Sequence, residues 1–334
     1  MDDGLLVLTG EAVASVLSGR RAEVIGAVEK AYLLHGRRES SVPHSSFLRF
    51  PGDDLNRIIA LPAFLGDGVN LCGLKWVASF PGNLARGLER ASAVVILNSP
   101  QTGRAFAVLE GSLISAQRTA ASAALAAEVL LRGSSPPTLG LIGTGVINAE
   151  ILDFVLTLVP GIESVLLFDL ESSRAVRFRE AAGARHPRAR FEIAPGVGAV
   201  LERCPLVSFA TTAVRPHVDD LSRCPPAAVH LHVSLRDLSP EVILGCDNVV
   251  DDPDHVCRAQ TSVHLAEQLA GNRDFIRCSL WELLEGTAPP KRDERQVSVF
   301  SPFGLGVLDL AVAKLVFDQA VAMGLGQRVP SFLP

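Results

Sequence analysis

The sequence predicts an α/β protein, a parallel sheet flanked by helices and joined to a mostly antiparallel module, and three observations carry that prediction. From Leu139 onward, short apolar runs alternate with stretches of helical periodicity, as strands joined by right-handed crossover helices require. Between Ser46 and Leu109 the short β-like runs are instead separated only by turn residues, which favours antiparallel pairing. Finally, the run Leu139-Gly140-Leu141-Ile142 breaks at Gly143-Thr144-Gly145 and passes directly into the apolar-periodic Val146-Ile147-Asn148-Ala149.

Each element follows in order. Residues 11 to 35 carry Val13, Val16, Leu17, Val24, Ile25 and Val28 at helical spacing, so one or two helices open the chain. The β-like runs are 46–50, 56–61, 72–78 and 93–98, with turns at Pro51-Gly52, Gly66-Asp67-Gly68 and Ser99-Pro100. An Ala-rich helix is predicted over 113–132, and Gly133-Ser134-Ser135-Pro136-Pro137 punctuates it. Strands are then expected at 165–169, 206–211, 229–234 and 248–251. A helix over 172–182 is expected to stop at Gly183. A last apolar helix spans 307–322. The predicted domains are 119–300, a nucleotide-binding sheet, and 1–118 with 301–334, an α+β substrate-binding and dimerisation domain formed by the N-terminal module and the C-terminal helix.

The glycine turn sits where a dinucleotide needs it. Gly143 permits the tight turn, Gly145 lets the backbone approach a pyrophosphate, and the N–H groups opening the helix at Val146 and Ile147 point at it. Asp169, about twenty residues on at the end of the next run, is placed to bond an adenosine ribose. Together these define a Rossmann-type domain and NAD as cofactor, because Asp169 should repel a 2′-phosphate; Arg174 and Arg177 partly offset that repulsion. The fingerprint departs from its usual form at Asn148, where Gly or Ala is the rule.

Composition narrows the function. With 334 residues, two domains are expected. A net charge of −5 gives no electrostatic footprint for nucleic acid or an anionic membrane. No apolar run reaches the roughly 18 residues that span a bilayer. The start Met1-Asp2-Asp3-Gly4 lacks a signal peptide's basic and apolar regions, so the cytoplasm is expected. The six cysteines show no CxxC spacing and are expected as reduced thiols. His230 and His232 alternate on one strand without a third ligand, so they are expected as hydrogen-bonded strand histidines and no metal is predicted.

Residues for chemistry stand out against this background. Asp237 follows the strand at 229–234, at the carboxyl end where ligands of open α/β sheets bind. It is either a base whose pKa partial burial would raise, or a cap of the following turn. Lys75 interrupts the apolar run 71–77, where it needs an anion unless it lies on a solvated edge. Thr211 and Thr212 end a neighbouring strand, in position to border a nicotinamide ribose.

Several strings together resemble the ornithine cyclodeaminase/mu-crystallin family: Gly73-Leu74-Lys75-Trp76-Val77 with Phe80-Pro81-Gly82-Asn83, Ser115-Ala116-Gln117-Arg118-Thr119, the glycine turn, and Ser234-Leu235-Arg236-Asp237-Leu238. Ser46-Phe47-Leu48-Arg49-Phe50, Asn56-Arg57-Ile58-Ile59 and Phe300-Ser301-Pro302-Phe303-Gly304-Leu305-Gly306 are similar to its 2,3-diaminopropionate biosynthesis branch. The resemblance implies NAD-dependent oxidation of N-(1-amino-1-carboxy-2-ethyl)-L-glutamate. Imine hydrolysis then gives 2-oxoglutarate and L-2,3-diaminopropionate for siderophores or peptide natural products, downstream of a PLP-dependent synthase. It implies a homodimer, a catalytic Asp237, a catalytic and substrate-contacting Lys75, and a carboxylate clamp at Arg49, with Arg57 as the alternative. Arg118 is placed between substrate and cofactor, Thr119 at cofactor phosphate, and Ser234 and Ser301 beside the cofactor. The alternatives are an ornithine cyclodeaminase and a non-catalytic mu-crystallin-like NAD(P)-binding protein.

Overall fold

A computed structural model describes residues 4–332. The expectation about the N-terminus falls on Met1 to Asp3, which lie outside the described residues. The described chain opens with β1 (Leu5–Leu8), α1 (Gly10–Leu17), α2 (Arg21–Gly36), β2 (Ser40–Ser41), β3 (Ser46–Phe50), β4 (Asp53–Leu65), β5 (Leu71–Ser79), β6 (Ala91–Asn98) and β7 (Ala105–Glu110). Next come α3 (Ser112–Leu131), β8 (Thr138–Ile142), α4 (Val146–Leu158), β9 (Ser164–Phe168), α5 (Ser172–Arg185), β10 (Arg190–Ile193), α6 (Val197–Arg203) and β11 (Leu206–Phe209). The remainder is β12 (Val229–His232), α7 (Pro240–Leu244), β13 (Asp247–Val250), α8 (Pro253–Val256), α9 (Ser262–Ala270), β14 (Ile276–Ser279), α10 (Leu280–Glu285), β15 (Ser298–Ser301), α11 (Gly306–Met323) and β16 (Gln327–Val329).

Two units divide the chain: Met1–Arg118 with Gly304–Pro334, and Thr119–Phe303. In the first, strands run in the order β16-β1-β7-β6-β5-β4-β2, with β3 also paired to β4. The β3–β7 meander is antiparallel, while β1 joins β7 in parallel. Side chains alternate between sheet faces with period two. Leu61, Ala63, Leu65, Leu71, Ala93, Val95 and Leu97 share one buried face. Helix α11 covers that face and is buried along Val307, Leu308, Leu310, Val312 and Val316, each worth about 1.5–3 kcal/mol when fully removed from water. The opposite face leaves Leu48 45% exposed, and Trp76 and Val94 40% exposed.

In the second unit all strands are parallel, in the order β10-β9-β8-β11-β12-β15-β13-β14. Strands β11, β12, β13 and β15 are buried at every position, as expected where helices cover both faces. The order reverses beside β8, which is where such sheets bind ligands. Ser301 to Phe303 belong to this unit, beyond the expected boundary at 300, because β15 pairs with both β12 and β13.

Gly183 does not stop α5, which runs on to Arg185 and is followed by His186 and Pro187. Packing of Ala175, Phe178 and Ala182 offsets the roughly 1 kcal/mol that a helical glycine costs relative to alanine. No described helix is long and apolar enough to cross a membrane.

Candidate functional site

In the second unit, the turn after β8 has a shape only glycine allows. Gly143 has φ 87°, and a Cβ there would lie 2.5 Å from Ala210 O. Gly145 caps α4 without a side-chain bond to the first turn, and Val146 is half exposed, so the helix opens with backbone donors suited to a pyrophosphate. Arg174 adds a cation there, its Nη2 lying 3.8 Å from where a Gly145 Cβ would sit. These residues fit a dinucleotide.

Asn148, the departure from the fingerprint, is fully buried and structural. Its Nδ2 donates to Ile142 O at 3.0 Å and Gly143 O at 2.6 Å, and its Oδ1 accepts from Ser208 Oγ at 2.7 Å. It ties the turn to β11 where an alanine would only pack. Asp169 Oδ2 accepts from Thr144 N and Oγ1, both at 2.8 Å, so this carboxylate fastens the turn. Its Oδ1 takes Glu171 N at 3.0 Å and keeps a lone pair for a ribose.

Beyond the carboxyl ends of β11 and β12 lies a polar cluster around Asp237, which is fully buried. Thr211 Oγ1 donates to its Oδ1 at 2.5 Å, His217 Nε2 approaches the same oxygen at 3.2 Å, and Ser234 Oγ donates to Oδ2. His232 Nε2 lies 3.1 Å from Asp237 N and 3.3 Å from Oδ2. A backbone amide can only donate, so we assign a neutral His232 that accepts there and donates from Nδ1 to Ser301 Oγ at 3.2 Å.

The expectation of a raised Asp237 pKa is overturned. Burial alone would push the carboxyl up, but the Ser234 and Thr211 hydroxyls, one donating to each oxygen, favour the charged form and hold the group below the usual carboxylate range. Ser234 and Ser301 are thus placed as supports of Asp237 and His232, and Thr212 lies exposed in the loop beyond β11.

His230 departs from the expectation of a hydrogen-bonded strand histidine. It is wholly buried, neither ring nitrogen has a partner, and the ring packs edge-on to Phe209 at 5.7 Å. Burial, and then His232 beside it, lowers its pKa to about 3 from 6.5. A base depressed on folding stabilises the fold fully above its unfolded pKa and loses that stability as pH falls toward the folded one. Stability should therefore fall by about 1.4 kcal/mol per pH unit below pH ~6.5 on account of His230. Urea unfolding of His230→Leu between pH 7 and 4 should show a slope shallower by that amount.

The first unit assembles the cations. The register places Arg49 opposite Arg57, Arg57 opposite Ser79, and Leu61 opposite Lys75, so Arg49, Arg57 and Lys75 share one sheet face, on which Arg49 is exposed. Arg90 joins them, its Nη1 donating to Ser79 Oγ at 2.8 Å.

At the buried end of this face, Lys75 Nζ meets Asp309 Oδ2 at 2.7 Å and Ser115 Oγ at 3.2 Å, while Arg118 Nε meets Asp309 Oδ1 at 3.0 Å. Gly304, at φ 94°, makes room for that guanidinium, because a Cβ would sit 2.8 Å from Arg118 Nη1. Burial, and then Arg118, pulls Lys75 down to about 8, against the opposing pull of Asp309. Two cations on one carboxylate leave a buried positive charge in surplus.

Thr119 is half-buried one residue further along α3. Two residues escaped the sequence reading. Asp309 was visible as the one charge in the apolar stretch 305–313, whereas His217 carried no local signal.

Sheet order, glycine turn and strand-end polar cluster define a two-domain α/β protein with a Rossmann dinucleotide-binding sheet. The chain belongs to the ornithine cyclodeaminase/mu-crystallin family, which it matches over residues 8–324. It is 28% identical to the N-((2S)-2-amino-2-carboxyethyl)-L-glutamate dehydrogenase of Staphylococcus aureus, over 92% of this chain and 93% of that protein. It is also 28% identical to the alanine dehydrogenase of Archaeoglobus fulgidus, over 98% of each. The Thermococcus litoralis Delta(1)-pyrroline-2-carboxylate reductase, solved with NADH and L-proline, has a TM-score of 0.90 at 26% identity, covering 97% of this chain and 100% of that one. An archaeal alanine dehydrogenase dimer with bound NAD has a TM-score of 0.87 at 27% identity, covering 98% and 100%.

Proposed function

We propose that this protein is an NAD-dependent oxidoreductase acting on an amino acid C–N bond. Its substrate in this proposal is N-(1-amino-1-carboxy-2-ethyl)-L-glutamate, which leaves as 2-oxoglutarate and L-2,3-diaminopropionate. The observation that carries the choice is the surplus cation of the Lys75–Asp309–Arg118 cluster, on a sheet face that also holds Arg49 and Arg57. The adduct brings three carboxylates to such a face, whereas ornithine brings one carboxylate and a distal ammonium that the arginines would repel.

Bound NAD supplies the two-electron acceptor. The Gly143–Ile147 turn, with Asp169 and Arg174, holds it by pyrophosphate and ribose. Thr119, Arg118, Thr211, Thr212, Ser234 and Ser301 are its further contacts in the same proposal. Lys75 and Arg118 take a substrate carboxylate, with Arg49 or Arg57 clamping another, and Asp237 anchors the acid–base end. A PLP-dependent synthase supplies the adduct.

The deciding assay follows NADH at 340 nm with the synthetic adduct, and 2-oxoglutarate in the product. Turnover of ornithine to proline and ammonia without net NADH, and none with the adduct, replaces the proposal with a cyclodeaminase. Dinucleotide binding without turnover of the adduct, ornithine or alanine makes the protein a binder.

The surplus charge has a pH signature. With Lys75 near 8, kcat/KM should fall above about pH 8 as the free enzyme loses this clamp, by about tenfold per unit, mainly through KM. Bound carboxylate favours the protonated amine, so the corresponding limb in kcat should lie at higher pH. Lys75→Arg, charged throughout, should abolish the fall, and profiles of both proteins check this.

The exposed Trp76 pairs with Val94 across β5 and β6, and Leu48 lies on the same face. We assign this face to a homodimer, since apolar side chains so exposed on one sheet face mark an interface. Trp76→Asp with Val94→Asp should convert a dimer of about 71 kDa, twice the 35.4 kDa chain, to monomer in light scattering.

A further inference from the structure

We propose that His217 is the proton-carrying group of this reaction and Asp237 its buried counter-ion; the assignment rests on the oxidoreductase proposal above. His217 lies in the loop after β11, and three backbone bonds pin that loop to the chain around Asp237. His217 N and Val218 N both donate to Asp237 O at 2.9 Å, and Ser239 N donates to Val218 O at 2.9 Å. Val218 and Leu238 form a parallel bridge and are both buried, so the loop is packed down at the residue beside the histidine.

The ring itself is positioned differently from the carboxylate it touches. The His217 side chain is 39% exposed and that of Asp237 is 0% exposed. Asp237 receives hydroxyl donors on both oxygens, and its affinity for protons is low. A group so buried and so committed is poorly suited to exchange protons with a substrate. It is well suited to hold a neighbouring imidazole.

With an anion 3.2 Å from Nε2, the neutral His217 ring carries its proton on Nε2, donates it to Oδ1, and leaves Nδ1 as the lone-pair acceptor. Among the described residues Nδ1 has no hydrogen bond. Of the charged residues near His217 in sequence, Arg215, Asp219 and Asp220 are exposed on the same loop. From the packed β12 end, Asp237 and the neutral His232 complete the set.

The chemistry needs such a group at two points. The secondary ammonium of the substrate must lose a proton before its Cα–H can leave as hydride, and Nδ1 takes that proton and passes it to solvent. Water then adds to the C=N bond, forming C–O while Nδ1 accepts its proton. When the C–N bond breaks, the imidazolium returns that proton to the departing amine, the carbinol O–H breaks to form C=O, and its proton passes through solvent to the amine, which leaves as the primary ammonium. Secondary ammonium, water and NAD are consumed, and primary ammonium, 2-oxo acid, NADH and one proton are formed.

The test uses the full chain with NAD and each of the adduct, ornithine and alanine. His217→Ala should lose about a hundredfold or more in kcat with NADH affinity unchanged by fluorescence titration. Added imidazole should restore part of that turnover, saturably and more at high pH where it is unprotonated. His217→Gln, which can still donate to Asp237, should be as impaired as His217→Ala. Turnover of His217→Ala within about threefold of wild type, or a loss that imidazole leaves untouched, overturns the assignment. An impaired Asp237→Asn beside a fully active His217→Ala would overturn His217 while leaving the oxidoreductase proposal standing. No turnover by wild type with any of the three overturns that proposal, and this one with it.

Discussion

Replacing Asp309 by Ala is expected to cost about 3–5 kcal/mol of stability, the range for removing one partner of a buried ion pair. The size follows from charge balance. Asp309 is wholly buried and is the carboxylate that both Lys75 and Arg118 meet, so the substitution strands two cations in a dry interior. Burial already pulls Lys75 down to about 8, and without Asp309 it should shed its proton at still lower pH. Asp309→Asn keeps the shape and one acceptor oxygen, and should cost less than Asp309→Ala.

Lys75→Met provides the contrast. It removes the surplus cation and leaves Arg118 and Asp309 as a matched pair, so stability should change little. The loss should appear in KM for the adduct. Urea unfolding of the three variants, with KM for those that fold, checks the ordering. Comparable destabilisation by Lys75→Met and Asp309→Ala would contradict the charge surplus.

What could be read along the chain and what could not divide by the range of the interactions involved. Strand β8, the glycine turn and α4 were legible because one local pattern dictates all three. Lys75 was legible too, since a charge inside an apolar strand has to meet something. The short strands β1, β10, β14 and β16 were not foreseen, because three or four residues carry too little periodicity to be told from loop. Asn148 looked like a defect in a fingerprint, and its value depends on Ser208, a residue on another strand. The lowered pKa of Asp237 was likewise invisible: its hydroxyl donors Thr211 and Ser234 come from two different loops, and no spacing in the sequence shows them converging. Burial alone suggested the opposite sign.

Asp237→Asn should leave the fold and NAD binding in place while lowering kcat by about 10²–10⁴-fold, the range for loss of general acid–base catalysis. The backbone bonds of residue 237 to His217, Val218 and His232 do not depend on its side chain, so the loops at the β11 and β12 ends should stay where they are. What changes is hydrogen-bond polarity. Both carboxylate oxygens accept, from Thr211 on one side and Ser234 on the other, with His217 Nε2 beside the first. An amide must place N–H donors against one of those sides. If it faces Ser234, that hydroxyl must turn away and the anion beside His217 is lost. If it faces Thr211, His217 meets a donor and its proton shifts to Nδ1, which removes the acceptor proposed for the reaction. Either outcome leaves KM and NADH affinity close to wild type, because the proposed carboxylate clamps and the glycine turn are untouched. Steady-state kinetics with NADH fluorescence titration separates this from a structural failure, in which both binding constants would move together with kcat.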